Sequence, residues 1–178
     1  MKKLLIASAL VFAIALPAMA DALISQGSNE LGVSGFVDPM TEAGTRIDFD
    51  LRYAYFFWDR ISLGMVGGFG DDDRVTNVRL GVTGEYNFDI SDDYRPIIGT
   101  DFVPYVGVAL CYQHADLMGD KAGAGVFTTE GGMKFFLSDT AAVTTSVLGS
   151  MATDDVYADK HDTTWWDIAI RVGMRFYF

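Results

Sequence analysis

Two histidines, one cysteine and a run of three aspartates are the residues of this 178-residue sequence whose types invite a chemical reading. His161 is followed by Asp162 and Thr163, a neighbourhood suited to acid–base work because imidazole titrates near neutrality. His114 and His161 both fall in polar segments that read as outer loops, where hydroxyls and acids are common, so the expectation is two solvated histidines. Asp71-Asp72-Asp73 offers clustered oxygens to a hard divalent cation. Three consecutive carboxylates cannot all face one ion, however, and the alternating spacing of a cation-binding loop is missing, so a solvated loop tip is expected. Cys111 is the sole cysteine, which excludes an intrachain disulfide, and it reads as a small filler. No catalytic, cofactor or metal site is expected from these residues.

The segments that carry these residues explain more. Half of the chain is apolar, yet Asp and Glu total 24 against 13 Lys and Arg, for a net charge of −11. That balance, with a pI near 4.3, argues against a nucleic-acid partner, and the apolar fraction excludes a disordered chain. Residues 1–20 have the layout of a secretory signal peptide. Lys2 and Lys3 precede the apolar stretch Leu4–Leu16, Pro17 breaks it, and Ala18-Met19-Ala20 gives the small–x–small cleavage pattern. Cleavage after Ala20 would leave residues 21–178 as one barrel domain with a net charge of −13, since two lysines are lost. No apolar run long enough for a membrane helix remains.

Beyond residue 21 the period is two. Trp166, Ile168, Ile170, Val172, Met174, Phe176 and Phe178 alternate with Asp167, Ala169, Arg171, Gly173, Arg175 and Tyr177, the pattern of a strand with one apolar face. Clear alternation recurs over residues 45–57, 76–88, 102–112 and 126–137, and more weakly over 30–37, 61–69 and 141–151. Trp58-Asp59-Arg60 and Ser138-Asp139 read as tight turns, and the segments 38–44, 70–74, 89–100, 113–121 and 153–163 as loops. Eight antiparallel strands in this length suit a closed up-and-down β-barrel. Alternation does not fix the orientation of the weak third and seventh strands.

Charge and aromatic position say which face meets lipid. The polar face carries Glu30, Asp48, Asp50, Glu85, Glu130 and Asp167 against Arg46, Arg52, Arg79, Lys134, Arg171 and Arg175, a balance suited to pairing inside a lumen. The apolar face of the strong strands carries no charge, as lipid requires. With both termini periplasmic, Phe57, Phe88, Phe102, Phe135, Phe176 and Phe178 gather at one rim, and Phe36, Phe69, Tyr112, Phe127 and Trp166 at the other. Two aromatic girdles flanking an aliphatic band mark a bacterial membrane barrel.

The chain resembles the small outer-membrane β-barrel family, the OmpA- and OmpX-type membrane domain, over residues 21–178. The most specific stretch is the last strand, IAIRVGMRFYF, whose Phe176 and Phe178 resemble the signal read by the outer-membrane insertion machinery. Pro104–Gln113, Gly81–Tyr86 and Glu130–Phe136 also resemble strands of that superfamily. The resemblance implies a monomer in the outer membrane with lipid around it and the insertion machinery as its partner during biogenesis. No peptidoglycan-binding domain follows Phe178, so cell-wall anchoring is not implied. An eight-stranded barrel is just wide enough for its side chains to fill. Arg52, Glu85, Glu130, Lys134, Asp167, Arg171 and Arg175 are therefore expected to form a salt-bridged plug. The expected role is structural or surface interaction, with a narrow channel for ions or small apolar solutes as the alternative and a lipid-modifying enzyme as the second.

Overall fold

The computed structural model describes residues 24–41, 44–71, 75–88, 102–117, 120–158 and 163–178. The signal segment with Ala18 and Ala20, the Asp72-Asp73 pair and His161 lie outside these residues.

Eight long strands close into an antiparallel barrel: β1 (Asn29–Thr41), β2 (Gly44–Trp58), β3 (Ile61–Asp71), β4 (Val75–Asn87), β5 (Phe102–Leu117), β6 (Asp120–Ser138), β7 (Ala141–Ala152) and β10 (Trp166–Tyr177). Each pairs with its sequence neighbour, and β10 returns to β1 to complete the ring. A two-stranded hairpin, β8 (Tyr157–Ala158) with β9 (Thr163–Thr164), stands outside the ring in the β7–β10 connection. Residues 153–163 are thus not a plain loop, contrary to the sequence reading. Paired Tyr157 and Ala158 are held by Thr164 and Thr163.

The strands also run further than alternation suggests. β1 reaches Thr41, β3 reaches Asp71, and β5 and β6 continue into the segment 113–121, because backbone pairing persists where apolar side chains stop. His114 is accordingly a strand residue, between Val78 of β4 and Gly123 of β6, and not a loop residue. Its side chain is exposed on the outer wall.

Leu31 leads by successive partners through Tyr53, Met65, Val82, Leu110, Phe127 and Met151 to Trp166, whereas its own β10 partner is Phe176. The ring therefore closes with a stagger of ten residues, the distance along β10 from Trp166 to Phe176. Such shear tilts the strands and sets which side chains meet at one height inside.

Large apolar side chains are exposed on β2 to β7 and on β10, among them Leu51, Met65, Val82, Leu110, Met133, Val147 and Ile170. A soluble monomer rarely exposes more than a few hundred Å² of contiguous apolar surface, whereas a belt encircling a barrel is what lipid covers. The inward positions are buried and mostly polar, including Glu30, Asp50, Arg52, Ser62, Glu85, Gln113, Lys134 and Arg175. On the two strands whose orientation alternation left open, β3 turns Ser62 inward and Leu63 outward, and β7 turns Thr144, Ser146 and Leu148 inward and Val147 outward.

Candidate functional site in the lumen

The barrel has a turn end, with the turns at Asp59-Arg60 and Asp139-Thr140, and a loop end. Its interior is layered between them. At the turn end the inward face is aromatic: Phe56 on β2, Phe136 on β6 and Tyr177 on β10 pack with Ala142, and Ile24 and Val103 lean against them. The Tyr177 ring centroid lies 5.4 Å from that of Phe136 and 6.4 Å from that of Phe56. The N-terminal stretch folds over this layer. Gly27 donates its N–H to the Phe56 carbonyl at 3.0 Å, and the Arg60 N–H reaches the Ile24 carbonyl at 3.0 Å. Arg60 sits at φ 69°, in the left-handed region, at the second position of the Asp59-Arg60 turn, beside a register shift between Phe56 and Trp58.

Above the aromatic layer lies the first ion cluster. Lys134 Nζ is 2.8 Å from Glu30 Oε2 and 2.5 Å from Glu85 Oε1. Arg52 bridges the same carboxylates, with Nη1 3.1 Å from Glu85 Oε2 and Nε 3.4 Å from Glu30 Oε1. Arg175 Nη1 lies 2.9 Å from Glu30 Oε1. Tyr105 donates its hydroxyl to Glu130 Oε1 at 2.6 Å. Lys134 also faces three rings, at 5.3 Å from the Tyr105 centroid, 5.4 Å from Tyr177 and 5.9 Å from Phe56, so the ammonium is held by carboxylates and π-faces together. Three acids and three bases make this cluster formally neutral.

A second cluster lies nearer the loop end. Arg79 reaches across to β2, donating from Nε to Asp50 Oδ1 at 2.9 Å and from Nη1 to Asp48 Oδ2 at 3.2 Å. Arg171 of β10 places Nη2 2.6 Å from Asp50 Oδ2. A cavity of about 70 Å³ adjoins this cluster, bounded by residues including Cys111, Asp167 and Arg171. Over it, Val156 turns inward from the β7–β10 connection and is buried against Ala115 and Ala124. Gln113 Nε2 lies 3.5 Å from the Val156 carbonyl, and Thr153 Oγ1 accepts the Gly125 N–H at 3.0 Å.

Of the residues singled out in the sequence, Arg52, Glu85, Glu130, Lys134 and Arg175 meet in the turn-side cluster, Arg171 belongs to the loop-side one, and Asp167 lines the cavity. Glu30, Asp48, Asp50 and Arg79 belong to the clusters as fully as these. The side chain of Arg46 lies outside the described set. Phe176 and Phe178 are exposed, and Phe178 closes the seam at the turn end by exchanging backbone hydrogen bonds with Asn29 at 2.8 and 3.1 Å. Cys111 is half-buried at the cavity wall. Among the described residues, no three His, Cys, Asp or Glu side chains are placed to hold a metal ion.

Sequence reasoning missed the aromatic floor and the Val156 cap. The doublets Phe56-Phe57 and Phe135-Phe136 held a signal for the first, because adjacent strand residues point to opposite faces and one ring of each pair must enter the lumen.

A closed eight-stranded ring, a shear of ten, an apolar exterior and a charged interior together define the architecture. The fold is that of the small outer-membrane β-barrels. The N-terminal β-barrel domain of Pseudomonas aeruginosa OprF superposes with a TM-score of 0.59 at 17% identity, covering 86% of this chain and 98% of that one. Neisserial surface protein A (NspA) gives 0.59 at 11% identity, over 85% and 97% of the two chains. The outer membrane protein OprG of Pseudomonas aeruginosa gives 0.52 at 14%, over 89% and 99%. No protein-family profile matches the sequence, and no curated protein does. At these identities the likeness concerns the fold.

Proposed function

We propose that the chain is an integral outer-membrane protein with a structural or surface-interaction role, its lumen closed along the barrel axis. The observation that carries this reading is the layering of the interior. An aromatic floor, a neutral cluster around Lys134, a second cluster around Arg79 and a cap at Val156 follow one another, and the cavity between them has room for only a few waters. Reconstitution in planar bilayers tests it. No steady conductance is expected, and steady conductance would favour the second reading, a narrow pathway for ions or small apolar solutes, which the cavity itself supports.

Lipid is the partner of the exposed belt, and the exposed Phe176 and Phe178 suit recognition by the insertion machinery. The described N-terminal residues and Phe178 meet at one end of the barrel, which in this reading is periplasmic. The protein acts as a monomer without a cofactor. A lipid-modifying activity would fall to His161. His161→Ala is expected to leave lipid A unchanged, and altered acylation by mass spectrometry would restore the enzymatic reading.

A further inference from the structure

The two ion clusters leave guanidinium N–H groups unused. Arg52 gives Nε and Nη1 to Glu30 and Glu85, Arg175 gives Nη1 to Glu30, and Arg171 gives Nη2 to Asp48 and Asp50. Among the described residues no acceptor meets Arg52 Nη2, Arg171 Nε or Arg175 Nε, and all three atoms are buried. Arg52 and Arg175 are 5% and 4% exposed, so bulk water does not serve them. All three side chains bound the lumen cavity of about 70 Å³. A buried N–H without an acceptor is costly, and the acceptor these donors lack has to be held in that cavity.

The walls specify the rest of the guest. Four carboxylates and four guanidinium groups bound the cavity, so it is formally neutral, and a charged molecule would bring in an uncompensated charge. The carboxylates, Asp50 among them, accept hydrogen bonds. Val66, Val108, Val126 and Leu148 form an apolar side, where a water finds few of the two to four partners it needs. At roughly 30 Å³ of liquid volume per water, the space takes about two waters or one molecule of about four non-hydrogen atoms. The wall thus offers donors, acceptors and apolar surface to one small, uncharged molecule.

We infer that the cavity is a binding site for a small neutral amide, entered from the loop end past Val156. The amide oxygen accepts the unused guanidinium N–H groups, its NH₂ group donates to the carboxylates, and its short alkyl end lies against the valines and Leu148. This rests on the proposed axial closure, since an open lumen would exchange such a molecule freely. The cap suits a removable stopper. Val156 is 1% exposed, yet it is seated on the small side chains of Ala115 and Ala124, and Gln113 Nε2 stands 3.5 Å from its carbonyl. Lifting it breaks none of the ion pairs around Lys134 or Arg79, whereas a route from the turn end must pass the aromatic floor and the Lys134 cluster.

Cys111 reports what fills the cavity, since it lines the wall and is the chain's sole thiol. The protein folded in micelles is labelled with methyl methanethiosulfonate, small and neutral. Acetamide is the probe, and sodium acetate, its charged isostere, is the control. Acetamide should slow labelling about fivefold, saturating in the millimolar range expected of so small a ligand, because access governs the reactivity of a shielded thiol. Acetate should leave the rate unchanged. Ala169→Leu, which fills the cavity from β10, should label at the slow, acetamide-saturated rate and respond no further to acetamide. Leu148→Phe takes its place from β7 if the first variant does not fold, as judged by heat-modifiable gel mobility. Val156→Ala should raise the labelling rate about fivefold by loosening the stopper. Labelling as fast as that of a free thiol, or steady conductance, overturns the axial closure and the site with it. Slow labelling indifferent to acetamide, equal protection by acetate, or protection that persists in the filled variants overturns the amide site and leaves a closed lumen that holds water alone. A rate unchanged in Val156→Ala overturns entry past the cap.

Discussion

Lys134 and Arg79 each hold two carboxylates inside the same barrel, in surroundings that differ. The Lys134 side chain is 0% exposed, between Glu30, Glu85 and three aromatic rings. Arg79 is 14% exposed and Arg171 15%, and both border the cavity. Formal charge balances within each pairing group, yet the cost of an error does not. Around Lys134 a missing partner leaves a charge against aromatic carbon, and around Arg79 it leaves a charge beside space that water can enter. The turn half therefore locks the barrel, while the loop half tolerates polar change and is where access to the lumen is to be sought.

The largest effect expected from this contrast is at Lys134. Lys134→Met removes the one ammonium between Glu30 and Glu85 and leaves an uncompensated buried carboxylate, at a cost of about 3–5 kcal/mol. The urea midpoint of the barrel folded in micelles reads it. Adding Glu85→Gln removes the partner too and should recover part of the loss, with a coupling of about 0.5–3 kcal/mol in a double-mutant cycle. If the single variant is as stable as the parent, the turn half is not the dry lock described. Arg79→Met comes next. It leaves Asp48 and Asp50 to share Arg171, at 3.7 and 2.6 Å, and the adjoining cavity admits water, so about 1–3 kcal/mol is expected by the same measurement. A loss equal to that of Lys134→Met would erase the distinction between the halves.

Much of this arrangement is written in the alternation of the sequence, and the missing part has a definite cause. Period two assigns a face to each residue and so separates Leu51 from Arg52 and Ile170 from Arg171 without any coordinates. It does not assign height. Lys134 meets Glu30, 104 positions away, because shear brings β6 and β1 together at one level of the lumen. That is why seven charged residues read as one network divide between two clusters and a cavity wall. His114 was misplaced for a related reason: a strand outlasts its membrane crossing, so polarity marks the edge of lipid and not the end of pairing. The Val156 cap had no periodic signal, since a single valine in a polar connection is unremarkable until the backbone turns it inward.

The smallest effects discriminate best, because each places one hydroxyl at a known depth, instead of a hydrogen at Ala142 and instead of a thiol at Cys111. Ala142 is 0% exposed in the aromatic floor with Phe56, Phe136 and Tyr177, where a serine hydroxyl meets rings. Ala142→Ser should therefore lower stability by about 1–2 kcal/mol, the cost of burying a polar group without a partner. Cys111→Ser introduces the same hydroxyl at the wall of the cavity, within a half-buried environment that holds polar groups and water-sized space. There the hydroxyl finds partners, and the change should stay within about 0.5 kcal/mol. Both are read from the unfolding midpoint under identical micelle conditions, so errors in the absolute scale cancel. The ordering matters more than either value. A turn half that accepts serine as easily as the loop half must itself be hydrated, and water would then extend from the cavity past Lys134 to the aromatic floor, along the route the two ion clusters otherwise block.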